Sequence, residues 1–186
     1  IEQLASLRAM PGLKVIRPAD AYETAAAIES HLGKSDGPTA LILTRQNIPT
    51  LEGTKKLARN GVEVGAYTLV DSQKPDVILT GTGSEVHLCI DAAKELEEKK
   101  INVKVVSIPC MENFFNQSEA VQNEIFNVGV PVLSIEAGST FGWSSIADES
   151  IGIDRFGASA PASEVFTKLG ITSAALVQAA TKLVSK

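Results

Sequence analysis

The sequence predicts an α/β fold: a three-layer domain over residues 66–186, its mostly parallel sheet covered by helices on both faces, preceded by a partial α/β segment over residues 1–65. Three observations predict it. Short apolar runs such as "TALILT", "DVILT", "VKVVSI" and "VPVLSI" read as strands buried on both faces. Stretches of helical period separate them, the arrangement of parallel strands joined by crossover helices. Proline and glycine stand where helices start and stop, at Pro11, Gly12, Gly33, Pro161 and Gly170.

In the first part, "IEQLASLRAM" is helical and stops at Pro11 and Gly12, and "KVIR" is a strand that stops at Pro18. Asp20 caps a helix whose third position is Glu23, a capping-box arrangement, and the alanine-rich run that follows ends at Gly33. "SDGP" turns the chain into a strand over residues 39–44. Two such βα units hold too few strands for a closed sheet, so residues 1–65 read as the end of a larger domain. From Arg45 to Gly65 the period is lost, and Pro49, Gly53, Gly61 and Gly65 punctuate what reads as a linker or surface loop.

Beyond it, "AYTLV" and "DVILT" are strands, and a helix from about Ser84 to Lys99 places Val86, Ile90, Ala93 and Leu96 on one face. "VKVVSI" is a strand ending at Pro109, "ENFFN" and "SEAVQNEIF" are short helical pieces, and "VPVLSI" is a strand that reaches Glu136. A glycine- and serine-rich loop with Trp143 leads to a short strand near "IGID" and the loop "RFGASA". A helix then runs from Pro161 to Gly170 and a last one from Thr172 to about Val184.

Composition narrows the function. No apolar run approaches the roughly 20 residues of a membrane span, and no signal peptide precedes the first element. Cys89 and Cys110 are too few and too far apart for a disulfide framework or a CxxC metal pair, which points to a reducing cytoplasm. Residues 1–65 hold eight basic against seven acidic side chains, and residues 66–186 hold nine against fifteen. An acidic second part without a basic stripe excludes nucleic acid as the expected partner. The chain starts at Ile1 rather than Met, so a processed or truncated piece is expected.

"VILTGTGSEVHL" opens like a dinucleotide turn. Val86 stands where the third glycine belongs, no acid closes the next strand, and Glu85 puts a carboxylate in the first helical turn, where a phosphate would sit. A tight strand-to-helix turn with Ser84 as cap is therefore the expected role of Gly81 and Gly83. His87 is expected to pair with Asp91 one turn on, and neither His31 nor His87 has neighbours at zinc-ligand spacing. Glu136 ends a strand at the edge where α/β sheets gather ligands, but no base or nucleophile accompanies it, so a hydrogen-bonded structural carboxylate is expected. Arg45 follows the strand 39–44 at its carboxyl end. Its planar fork suits a phosphate or carboxylate in a cleft, and a surface arginine starting a loop is the other reading.

The segments "IEQLASLRAMPGLKVIRPADAYETAAA", "GPTALILTRQNIP", "ILTGTGSEV" and "FGASAPASEVFTKLGIT" resemble, in order and spacing, the C-terminal portion of bacterial transketolases. The resemblance covers essentially the whole chain. It implies a homodimeric enzyme that uses thiamine diphosphate and a divalent metal (Mg²⁺ or Ca²⁺) to move a two-carbon ketol unit from a ketose phosphate to an aldose phosphate. It makes residues 1–65 the end of a pyrimidine-binding domain with its linker, and residues 66–186 the C-terminal domain. The family's "SRQ" motif is written Thr44, Arg45, Gln46 here, and its arginine binds the sugar phosphate, which assigns Arg45 to substrate. The substrate-binding Asp and His, the cofactor-activating glutamate and the metal site belong to segments that precede Ile1 in the family. The 186 residues are thus expected to carry no catalytic, cofactor-binding or metal-binding residue and to be inactive alone, with a structural, dimer-contact or regulatory role. A free-standing binding or assembly module remains the reading from another class. 1-Deoxyxylulose 5-phosphate synthase and the beta subunits of 2-oxo acid dehydrogenases share a similar domain, and "TRQ" and "RFGASAP" fit them less well.

Overall fold

A computed structural model describes residues 1–34 and 37–185. The first part contains α1 (Gln3–Arg8), β1 (Lys14–Ile16), α2 (Ala21–Lys34), β2 (Thr39–Leu41) and α3 (Thr54–Val64). β1 and β2 form a parallel pair with Ile16 opposite Leu41. Asp20 caps α2 as expected, its Oδ1 accepting from the backbone N–H groups of Tyr22 and Glu23 at 2.9 and 3.0 Å. Glu23 reaches back one residue further than a capping box requires, accepting from the N–H of Ala19 at 2.6 Å. Helix α2 passes through Gly33 to Lys34, and Ser35 and Asp36 of the expected turn lie outside the described residues.

The expected loop from Arg45 to Gly65 is corrected by α3, which occupies its second half. Thr54, Ala58, Gly61 and Val62 form the buried stripe of this helix, a 3.6-period face written in residues too small to register as apolar. Gly61 is required there, because a Cβ at that position would overlap the ring of Tyr67. The strand expected over residues 39–44 is also shorter, since β1 leaves its partner at Arg17 and offers only one more rung, from the Ile42 N–H to the Ile16 carbonyl at 2.9 Å.

The second part builds β3 (Tyr67–Val70), β4 (Val77–Gly81), a 3₁₀ turn (Gly83–Glu85), α4 (Val86–Glu98), β5 (Val103–Ser107), α5 (Met111–Phe115), α6 (Glu119–Ile125), β6 (Val132–Ile135), β7 (Glu149–Ile151), α7 (Ala162–Leu169) and α8 (Ser173–Val184). Among the described residues the sheet order is β3-β5-β4-β6-β7, parallel except for the edge strand β3. Alternation along the strands divides the core. Val77 and Leu79 of β4, with Val103, Val105, Leu133 and Ile135, meet α4 and α8, whereas Ile78, Val106 and Val132 meet Met111, Phe114, Ile125 and Trp143 on the other face. Cys89 and Ala92 join Val86, Ala93 and Leu96 in the core, while Ile90 is only half-buried.

Chain order makes β4 a switch point. From β4 the chain crosses to β5 on one side, then returns over β4 to β6 on the other. Open α/β sheets place their ligand crevice at the carboxyl ends of the strands on either side of such a reversal. Here that place lies between the ends of β4 and β6.

Candidate functional site

The crevice at the ends of β4 and β6 is filled by an arginine from the first part of the chain. Residue Arg17 leaves β1 and, held extended by the following Pro18, docks its backbone at the end of the second sheet. Its N–H donates to the Pro109 carbonyl at 2.9 Å, and its carbonyl accepts from the Gly83 N–H at 3.0 Å. Its Nη1 then donates to Glu136 Oε1 at 2.7 Å and lies 3.0 Å from Glu85 Oε2. Glu136 also takes both terminal nitrogens of Arg8, at 2.8 and 2.9 Å, and the indole N–H of Trp143 at 2.7 Å. Glu85 accepts from the Ala137 N–H at 3.0 Å and the Ser84 hydroxyl at 2.6 Å.

The four side chains form a neutral buried cluster of two cations and two anions. Glu85 and Glu136 are at most 1% exposed and Arg17 8%. Burial pushes the Glu136 carboxyl up, but the hydrogen bonds and charge of Arg8, with the charge of Arg17, outweigh it and hold the group below the usual carboxylate range. Burial likewise opposes the charge on Arg17, and the two carboxylates reverse the balance and raise its pKa. Glu136 is thus the structural carboxylate expected for it.

The glycine turn follows from the same cluster. Gly83 has φ +60°, and a Cβ there would stand 3.1 Å from the Arg17 Cζ, so glycine lets the turn lie against the guanidinium. Gly81 serves close packing, since a Cβ on it would meet the Cys89 Sγ at 3.2 Å. Ser84 does not cap the helix as expected, because its hydroxyl is committed to Glu85. This turn does not fit a diphosphate: two carboxylates face the crevice and its cation is already paired. The expected pair of His87 with Asp91 does not form. Asp91 pairs with Lys94, and the covered His87 Nε2 has no partner among the described residues.

A second set of polar contacts joins the two parts. The Glu23 carboxylate accepts from the Tyr67 hydroxyl at 2.7 Å and the Ser107 hydroxyl at 2.6 Å, both in the second sheet. Among the described residues no cation accompanies it, so burial dominates and raises its pKa. Burial and the neighbouring Glu23 raise that of Tyr67. Cys89 and Cys110 are buried thiols, and burial pushes Cys110 up to about 12.

Arg45 stands apart from all of this. It is exposed on a bend beyond the end of β2 and makes no hydrogen bond or ion pair with any described residue. Thr44 shapes the bend, its hydroxyl accepting from the Gln46 N–H at 3.3 Å and donating to the Gln46 side chain at 2.8 Å. Thr44 and Gln46 line a pocket of about 170 Å³ with Arg17, Pro18, Gly83 and Ser84, and Arg45 lies outside it. Among the described residues no three His, Cys, Asp or Glu side chains are grouped to hold a metal ion, and no helix is long and apolar enough to cross a membrane.

Sequence reasoning missed Arg17 and Arg8, which read as a strand end and a helix end. The signal was present in Glu85 and Glu136, two acids at the carboxyl ends of apolar strands, which burial obliges to find cations.

Fold and junction define the class: two α/β parts joined by buried polar contacts, with the sheet crevice of the second closed by an arginine of the first. The chain belongs to the transketolase family. Residues 65–172 match the transketolase-like TK C-terminal domain and residues 1–50 the transketolase pyrimidine-binding domain. A transketolase of Bacillus subtilis is 46% identical over the whole chain, which covers 29% of that protein. Among solved structures, the transketolase of Leishmania mexicana superposes over the whole chain with a TM-score of 0.95 at 40% identity, the chain covering 27% of it. A transketolase of Pichia stipitis in complex with sedoheptulose 7-phosphate does so with a TM-score of 0.94 at 44% identity, again with 27% covered. The chain thus spans less than a third of the length of these relatives. Transketolases are transferases, and the family implies thiamine diphosphate.

Proposed function

We propose that this chain is the part of a transketolase that contributes the sugar-phosphate arginine and the C-terminal domain, in an enzyme moving a two-carbon ketol unit from a ketose phosphate to an aldose phosphate. The observation that carries the reading is Arg45, a permanently charged, bidentate donor on a bend with no partner among the described residues. An exposed guanidinium without a carboxylate neighbour is free to take a phosphate dianion. The sedoheptulose 7-phosphate complex of the Pichia stipitis relative supports a sugar phosphate as the ligand.

In this reading the 186 residues bind the phosphate end of the substrate and hold the second domain in place. Thiamine diphosphate supplies the carbanion chemistry when bound, together with a divalent metal, through residues outside this chain, so the isolated chain is inactive. Residues 1–65 end a pyrimidine-binding domain, residues 66–186 form the C-terminal domain, and the complete enzyme is a cytoplasmic homodimer. The two buried, unpaired thiols are compatible with a reducing compartment.

Steady-state kinetics of the full-length enzyme test the assignment. Arg45→Ala is expected to raise KM for ribose 5-phosphate by at least about tenfold, the worth of a charge-assisted contact, and to leave KM for unphosphorylated ribose within about twofold. Equal changes for both sugars would remove Arg45 from the phosphate site. Turnover of a ketose phosphate by the purified 186-residue chain, with added cofactor and Mg²⁺, would overturn the expected inactivity.

A further inference from the structure

We propose that Arg17 is a positioning residue for Arg45, and that through it the C-terminal domain sets where the sugar phosphate is held. The inference rests on the phosphate reading of Arg45. Strands β1 and β2 are parallel neighbours in register, so their carboxyl ends lie side by side, about 5 Å apart. One end continues into Arg17 and the other into the bend at Thr44, Arg45 and Gln46.

The two ends are held very differently. Arg17 is pinned to the second domain through its N–H, its carbonyl and its guanidinium, by Pro109, Gly83, Glu85 and Glu136. Among the described residues the bend has only its internal Thr44 to Gln46 bonds and the Ile42 to Ile16 rung that ties it to β1. It faces Arg17 and Pro18, with Gly83 and Ser84 of the second domain, across a shared pocket. Beside the Glu23 contacts to Tyr67 and Ser107, β1 and the Arg17 clamp therefore form the direct route by which the second domain sets the position of the Arg45 backbone. A lysine at position 17 would keep the charge beside Glu85 and Glu136 but lose the rigid fork that fixes the distance to both. Displacement of a binding group by about 1 Å is enough to cost up to about a hundredfold in turnover efficiency.

The test is a double-mutant cycle in the full-length enzyme, read as the ratio of KM for ribose 5-phosphate to KM for ribose. Arg17→Lys is expected to raise this ratio by about three- to tenfold. Combined with Arg45→Ala it should add nothing beyond the effect of Arg45→Ala alone. Glu85→Gln, which loosens the same clamp and leaves Arg17 on Glu136, serves where Arg17→Lys fails to fold, and should shift the ratio in the same direction. An unchanged ratio in these folded variants, or an effect that multiplies with that of Arg45→Ala, overturns the inference while the phosphate reading stands. An unchanged ratio in Arg45→Ala itself overturns the phosphate reading, and this inference with it.

Discussion

The carboxyl ends of β1 and β2 carry two arginines of opposite character. Arg17 is 8% exposed, pairs with Glu85 and Glu136, and closes a crevice. Arg45 is exposed and pairs with nothing described. The same side chain, one strand apart, is structure in one place and a candidate ligand contact in the other. The difference lies in what stands opposite. Two buried acids face Arg17 from the ends of β4 and β6, and among the described residues no carboxylate pairs with Arg45.

Removing Arg17 breaks this comparison most severely. Arg17→Ala leaves Glu85 buried without a cation, and an unfolding titration in denaturant should show a loss of about 3–5 kcal/mol, the cost of breaking a buried ion pair by deleting one partner. Gly83→Ala attacks the same clamp from the other side. Its φ of +60° and its Cβ at 3.1 Å from the guanidinium should together cost about 1–3 kcal/mol in the same titration.

Acidity separates the two junction carboxylates. The pKa of Glu136 is lowered, so its contribution to stability is present above its unfolded pKa and is lost as pH falls through the still lower folded value. That of Glu23 is raised, so its contribution is fully present below its unfolded value near 4.5 and is lost as pH rises through the higher folded value. Stability of wild type minus that of Glu23→Gln should therefore fall as pH is raised from about 4.5, and a flat difference would remove the raised pKa. The smallest effect belongs to Arg45→Ala, whose unfolding midpoint should match wild type to within about 0.5 kcal/mol, as for an exposed side chain without partners. A larger loss would make Arg45 structural and erase the contrast with Arg17.

Much of the second domain was legible because its strands are continuous apolar runs and its helices carry their own caps. Thr172 accepts from the Ala175 N–H, Ser118 from the Val121 N–H, and α7 runs between Pro161 and Gly170 as punctuated. Helix α3 was hidden because its buried face is Thr54, Ala58, Gly61 and Val62, and at Gly61 the requirement for smallness comes from the Tyr67 ring and not from the helix itself. That the glycine turn does not suit a nucleotide could be read from Glu85 and Val86 alone. What fills the crevice could not, since Arg17 and Glu136 are 119 residues apart and only the tertiary fold brings them together. The family resemblance supplied a role for Arg45 that its local sequence left open between cleft and surface.

Trp143 gives the junction a built-in optical reporter. It is the chain's sole tryptophan, 1% exposed, with its indole N–H on the carboxylate that also holds Arg8 and Arg17. Its emission comes from one known environment, dry and next to a charge cluster spanning both domains. Any ligand, variant or pH change that loosens the clamp should appear as a shift of that single emission band toward longer wavelength, without an added label.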